Sequence, residues 1–424
     1  MTSITRVVVI GGGMAGARLA RQLTAGPAGA DPVDVTVIGE EADRPYNRVL
    51  LAEVLTGRYA PEVIALPSPG DTVDWRGGVR AVRLDRATRR VQCDDGREIP
   101  YDALVLATGA NPVLPPLRGL FAPEGHDLPD GVHSFRTMDD CRALADAASP
   151  GTPAVVIGGG LLGVSAARAL AGRGAQVVLA HQGEHLMERH LDADAAALLR
   201  EHLTALGIEV HTECRVRGIE TTAAEKRTGS RAVRAVELAD GYRLDAELVV
   251  LACGVRPRTG LARAAGLDVG RGIRVDDALR TSDPRIFAIG DCAEHNSTVY
   301  GLAGAAQEQA DALARVLTGP RPATPYLGTR VLTRLTLAAH QTPTTPFDLA
   351  AFGETTPAPG DDVIHLTDAT RGAYRKVVVR ENRLVGGILL GDLGTVGALA
   401  RTWEGDEPLP AAPLLHLLTT DGGF

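Results

Sequence analysis

The residues with the plainest chemical purpose are glycines in two matching runs, VVVIGGGMAGA at 7–17 and VVIGGGLLGVS at 155–165. Gly11, Gly13 and Gly16 in the first run, and Gly158, Gly160 and Gly163 in the second, have the spacing at which backbone amides cradle a pyrophosphate. The first glycine permits the turn, the second lets phosphate approach the backbone, and the third lets the following helix pack on the strand. An acid about 20 residues further on accepts hydrogen bonds from a ribose. Glu40, with Glu41 as second choice, stands there after the first run, whereas His181 stands there after the second. Without an acid a 2′-phosphate is not repelled, yet no Arg sits beside His181 to bind one, so both kinds of ribose stay open. His181 and His185 are four apart but lack a third ligand, and no metal site is expected.

These residues need a strand, a tight turn and a helix to position them. ITRVVVIGGGMAGARLARQL supplies a β-branched run, the glycines, and Met14, Leu19 and Leu23 at helical spacing; VDVTVIGEE is the strand that follows. TPAVVIGGGLLGVSAARALAGRGAQVVLAHQ repeats the order, and two turns imply two dinucleotides. At 424 residues, two or three domains are expected. A net charge of −8 with scattered arginines argues against nucleic acid as a partner. No apolar run reaches the ~18 residues of a membrane span, and VVVIGGG leads into glycines instead of a cleavage site, so a cytoplasmic protein with no membrane partner is expected. The five cysteines are scattered and form no CxxC, and they read as small apolar residues.

Two further segments carry a resemblance. DGREIPYDALVLATGANP holds an Ala-Thr-Gly-Ala run at 107–110, and TSDPRIFAIGDCAEH holds Asp291. In this order after the first glycine turn, and over roughly residues 4–320, the chain resembles the two-dinucleotide-binding-domain flavoproteins, which include glutathione reductase and the ferredoxin and rubredoxin reductases. The resemblance implies an α/β fold with two Rossmann-like domains, the second inserted in the first, and a C-terminal α+β domain. The boundaries expected are 1–114 with 253–320 for the FAD domain, 115–252 for the NAD(P) domain and 321–424 for the third. FAD is implied as cofactor and NAD(P)H as hydride donor. The FAD site would use Gly11, Gly13, Met14, Ala15, Gly16, Glu40, Glu41, Pro45, Arg48, Ala81, Ala107, Thr108, Gly109, Asp291, Leu302 and Ala303, with a helix from near Leu302 aiming its amides at the flavin. Arg48 would lie near the FAD phosphates or else be a plain surface residue. The NAD(P) site would use Gly158, Gly160, Leu161, Leu162, Gly163, His181 and Gly254.

Members of this family that reduce disulfides, and the related oxidases, carry cysteine in the segment matching RPYNRVLLAEVLTG, which here has none. Thiol chemistry at the flavin is therefore not expected. PYNRVLL, HLMERHLD at 185–192 and YRKVVVRENRLVGGILLGDLGTVGAL are similar to the flavin part of assimilatory NAD(P)H nitrite reductases, the last reading as a hairpin around Glu381 and Asn382 followed by a helix. Those enzymes continue into iron-sulfur and sirohaem modules, whose Cys ligands are missing here. The resemblance thus implies a flavin subunit that feeds a separate sirohaem nitrite reductase component. One alternative is a ferredoxin or rubredoxin reductase for a monooxygenase, and another, of a different class, is a non-catalytic FAD-binding partner protein.

Relatives commonly have Glu at the position of Ser165 and Lys at that of Glu53, an ion pair beside the flavin in the disulfide reductases. Glu53 and Ser165 are accordingly the catalytic candidates, Glu53 replacing part of the lost carboxylate and Ser165 bonding the nicotinamide amide or Glu53. The alternative is that Glu53 points to solvent and Ser165 only packs. Residues 124–135 and 221–232 read as surface loops and 319–329 as a linker into a third domain that covers the flavin or makes a subunit contact. Arg330, Arg334, Arg371, Arg375 and Arg380 form either a docking patch for an acidic ferredoxin or a solvated face.

Overall fold

The computed structural model describes residues 5–25, 33–70, 72–122, 125, 127–223, 231–318, 324–330, 332–337, 347–368, 370, 372–391, 393–409 and 418. The chain divides into two compact units, one of Met1–Leu51, Tyr59–Asn111 and Val255–Val331, the other of Ala52–Arg58, Pro112–Gly254 and Leu332–Phe424. Among the described residues no helix is long and apolar enough to cross a membrane.

The first unit is built on a five-stranded parallel sheet, in spatial order Ile286–Ala288, Ala103–Leu106, Thr5–Ile10, Val33–Gly39 and Val73–Gly77. Alternate residues of its central strand serve opposite layers. Val7 and Val9 pack with Leu19, Ala310 and Leu313 of helices Met14–Thr24 and Ala303–Thr318, while Val8 and Ile10 pack with Leu104, Ile286 and the antiparallel sheet that contains Val91 and Ile99. Burial on both faces explains why the run is continuously apolar instead of alternating. Arg18 and Asp311 join the two helices at 2.6 Å.

The second unit repeats this plan. Its parallel sheet runs Glu209–His211, Gln176–Ala180, Pro153–Ile157, Leu248–Leu251 and Val132–Ser134, with a three-stranded antiparallel sheet of Val216–Ala223, Arg231–Leu238 and Arg243–Asp245. Both segments expected as loops lie partly in these sheets. Val132–Ser134 is a parallel strand begun by the Gly131 turn, with Val132 and Phe135 buried. Thr221–Ala223 pairs with Arg231–Val233, while 224–230 lies outside the described residues. Polar composition misleads here because these strands are short or have one solvated face.

A third sheet, also in the second unit, is antiparallel, in the order Leu332–Leu337, Phe347–Gly353, Arg383–Gly391, Ala373–Arg380 and Asp362–Asp368. The hairpin around Glu381 and Asn382 is present, both residues having positive φ (49° and 60°), as a two-residue turn matching strand twist requires. Helix Val396–Gly405 covers the sheet through Trp403 against Phe352. Asp192 caps helix Ala193–Ala205 and accepts from Tyr374 Oη (2.7 Å) and Lys376 Nζ (2.6 Å), which ties this sheet to the parallel one. The stretch expected as a linker is anchored: Tyr326 is buried in the first unit, bonded by Gln309 and Thr329. Residues 319–323 lie outside the described residues.

Candidate functional site

Both glycine turns adopt one geometry. Gly11 and Gly158 have φ of +122° and +115°, and a methyl on either would overlap a carbonyl oxygen, of Ala107 or of Ala252. A methyl on Gly16 or Gly163 would strike the oxygen of Gly11 or Gly158. Gly13 and Gly160, in contrast, face open space, and neither helix that follows has a side-chain cap or an acid in its first turn. An uncapped helix start beneath an open glycine is a cradle for anionic oxygens. Met14, Ala15, Leu161 and Leu162 begin the two helices.

The rim of the first cradle is charged. Glu41 accepts from Tyr46 Oη (2.6 Å) and Arg48 Nη2 (2.6 Å), and the Arg48 guanidinium lies over the Tyr46 ring. Burial works against the charge of Arg48, yet Glu41, Tyr46 and Asp291 together keep its pKa above the ordinary arginine value. Arg48 is therefore not a plain surface residue, and Glu41, Arg48 and Asp291 share one electrostatic neighbourhood. Glu40 is exposed and paired with Arg258, which also bonds Asn111. Arg258 in turn presents its backbone to the Ala107–Ala110 run, its carbonyl accepting from Thr108 Oγ1 (2.8 Å) and its amide donating to Gly109 (2.9 Å). Nothing in its sequence context had marked Arg258, because its partner Glu40 is 218 residues away.

The Gly290 amide, beside Asp291, donates to buried Gln309 Oε1 (2.7 Å), and the helix carrying Gln309 begins at Ala303, one residue past Leu302. Gly109 has φ +70° and open space around it. Pro45 is buried, and its carbonyl accepts from Leu66; Ala81 starts a half-exposed antiparallel strand.

The second cradle has a neutral rim. His181 Nδ1 accepts from the Gly159 amide (3.1 Å), and burial pushes its imidazole below the usual pKa. Gly254 has φ +96° and open space around it.

Glu53 and Ser165 lie in the same unit but do not bond each other. Ser165 Oγ donates to Leu161 O (2.8 Å), the back-bond a helical serine makes to its own previous turn. Glu53 does not point to solvent. It is 9 % exposed and paired with Arg168, one turn beyond Ser165 and 5 % exposed, with Arg58 at 3.4 Å on its other oxygen. Where the resemblance implies a basic residue at 53 facing an acid at 165, this chain has an acid at 53 facing a base at 168. Arg173 adds bonds to Leu55 O and Ala145 O, which tie Ala52–Arg58 into the second unit.

None of the five cysteines is in a disulfide. Cys93, Cys141 and Cys292 are buried, and desolvation raises every thiol pKa, that of Cys141 to about 11. Burial outweighs the guanidinium charges near Cys93 and Cys141, so none is poised as a reactive thiolate. Of the arginines proposed as a patch, Arg334 is exposed, Arg375 is buried against Leu418 O, and Arg380 is bound to Asp361 and Glu354. Arg375 thus supports the sheet from within, Arg380 is 36 % exposed and held by two carboxylates, Arg330 is exposed like Arg334, and Arg371 lies outside the described residues.

Residues 5–310 match the model of the pyridine nucleotide-disulphide oxidoreductase family, and 344–402 that of the rubredoxin NAD+ reductase C-terminal domain. The chain is 34% identical over 391 residues to a nitrite reductase [NAD(P)H] of Bacillus subtilis, covering 91% of this chain and 46% of that protein. It thus spans about half the length of that relative. It is 34% identical over 295 residues to the ferredoxin–NAD(+) reductase component of a biphenyl dioxygenase system of Paraburkholderia xenovorans, 68% of each chain. A ferredoxin reductase of Rhodopseudomonas palustris superposes with a TM-score of 0.81 at 25% identity, covering 99% of this chain and 98% of that one. With two open cradles at the fingerprint positions and a family model matched over most of its length, the chain belongs to the pyridine nucleotide-disulphide oxidoreductase family, with FAD and NAD(P)H as its two dinucleotides.

Proposed function

We propose that this chain moves electrons from NAD(P)H through FAD to an external iron-sulfur or sirohaem protein, and that it is the flavin component of an assimilatory nitrite reductase. The observation that carries the reading is the pairing of two dinucleotide cradles with five thiols that burial holds protonated. Electrons that reach the flavin meet no reactive thiolate among these five cysteines and pass on to an iron-sulfur or sirohaem acceptor. FAD supplies the conversion from two-electron uptake to one-electron release.

The protein's own contribution is positioning. The amides after Gly13 and the Glu40, Glu41, Arg48 and Asp291 side chains hold FAD, and those after Gly160 hold the nucleotide. Ser165, its proton committed to Leu161, still accepts a hydrogen bond from the nicotinamide carboxamide. Glu53 acts through Arg168, keeping the helix that carries Ser165 in register.

The test is anaerobic addition of NADH or NADPH to the yellow protein, followed by a purified sirohaem nitrite reductase component or a ferredoxin. Bleaching of the flavin band and then faster reoxidation by the nitrite reductase component is expected. A flavin that neither nucleotide bleaches would leave a non-catalytic FAD protein. Reoxidation by ferredoxin alone would favour the second reading, a ferredoxin reductase, which the Paraburkholderia relative and the C-terminal domain match support.

A further inference from the structure

The second cradle lacks an acid at the end of its second strand, but the loop that follows supplies one from further along. His181 is neutral and spends its Nδ1 on the Gly159 amide, so it brings no charge to the ribose position. Beyond it, residues 182–190 fold back over the glycine turn. The Met187 amide donates to Gly159 O (2.9 Å), and the buried Leu186 side chain packs against Gly159. The return is fixed at its base by Glu213 N to Gly183 O and Cys214 N to His181 O, both 2.8 Å, and at its tip by Met187 with φ +54°.

This fold sets the Glu188 carboxylate directly over Gly183, where the Glu184 amide donates to Oε1 at 2.9 Å. Its charge reaches His181, opposing the effect of burial there, while its own side chain stays exposed. An oriented carboxylate open to solvent therefore stands at the C-terminal end of the second strand, the place from which a Rossmann domain reads the ribose.

We propose that the chain takes NADH in preference to NADPH, and that Glu188 is the residue that chooses. This rests on the reading of the second turn as the nicotinamide nucleotide site. The carboxylate accepts hydrogen bonds from a 2′- and 3′-hydroxyl and repels a 2′-phosphate, which carries about −1.5 to −2 charges. Glu184 adds to the negative field, and Arg189 is the one guanidinium within the loop that opposes it. The neighbouring imidazoles of His181 and His190 are held below the usual pKa, chiefly by burial, and offer a phosphate no positive charge at neutral pH.

The test uses the FAD-loaded full chain, with calorimetric titration of ADP-ribose and of 2′-phospho-ADP-ribose beside anaerobic reduction by NADH and NADPH. ADP-ribose should bind at least about tenfold tighter than its phosphorylated form. Glu188→Gln should shrink that ratio several-fold by weakening ADP-ribose, and Glu188→Arg should invert it, with flavin content and melting temperature unchanged. Tighter binding of the phosphorylated ligand by the unmodified protein, or the same ratio in all three proteins, would overturn the proposal. If neither ligand binds and neither nucleotide reduces the flavin, the assignment of the second turn itself falls, and this inference with it.

Discussion

The two glycine turns share a backbone and differ in what stands at their rims. Around the first, Glu41, Arg48, Tyr46 and Asp291 form a partly buried charged set, with Glu40 and Arg258 beyond it. Around the second, a neutral histidine occupies the turn's own amide, and the nearest carboxylate is exposed. Charge-assisted bonds in a sheltered setting are the stronger kind, and exposed ones are weakened by water and salt. The same turn can thus retain one dinucleotide and exchange another, because retention is decided by the rim.

The harshest way to break the comparison is to close the turns themselves. Gly11→Ala and Gly158→Ala each force a methyl into a carbonyl oxygen at positive φ, at a cost above about 4 kcal/mol. The first should yield colourless protein. The second should yield yellow protein that nucleotides no longer bleach, and absorbance per chain separates the two outcomes.

Next come the ion pairs. Arg168→Ala leaves the buried Glu53 carboxylate with the half-exposed Arg58 at 3.4 Å on one oxygen and should destabilise the second unit by about 1–3 kcal/mol. Arg258→Ala breaks an exposed pair and should cost less than about 1 kcal/mol. Denaturant unfolding measures both, and restoration by Glu53→Arg with Arg168→Glu would confirm that pairing matters more than polarity.

Acid should also tell the units apart. His133, His181, His190 and His202, all in the second unit, have imidazoles that burial holds below 6.5. The unfolded chain protonates first, so their contribution is complete above about pH 6.5 and is lost as pH falls below it. The depressed groups of the first unit are carboxylates, Asp102 near 2 among them, whose contribution persists until pH falls below about 3.8. Pulse proteolysis between about pH 7 and 5 should cleave the second unit while the flavin stays bound.

The smallest effect belongs to Ser165→Ala, which should raise KM for the nucleotide about fivefold with kcat unchanged, the share of one neutral hydrogen bond. An unaltered KM would leave Ser165 as a helix residue only.

What was legible in the sequence is local. Glycines at positive φ, a β-branched run and an apolar helical period are each specified within a dozen residues, and both Rossmann halves could be read from them. The partners of the candidate side chains were not legible. Arg168 meets Glu53 across 115 residues, and Arg258 meets Glu40 across 218, distances over which no periodicity carries information. The three-residue strand Val132–Ser134 is too short to show a period, and Tyr326 sat in a stretch whose prolines and glycines resemble a tether.

One feature of the first sheet governs how the protein is made. Its edge strand Ile286–Ala288 pairs with Ala103–Leu106, about 180 residues earlier in the chain. A ribosome adding about 5–20 residues per second leaves that strand edge open for roughly 10–40 s. During that interval the whole inner part of the second unit, 112–254, emerges and can fold. Asp291 follows directly behind the closing strand. The Rossmann part of the second unit, 112–254, is therefore synthesised before the flavin half can close, and capture of FAD waits until residues 286–291 have emerged.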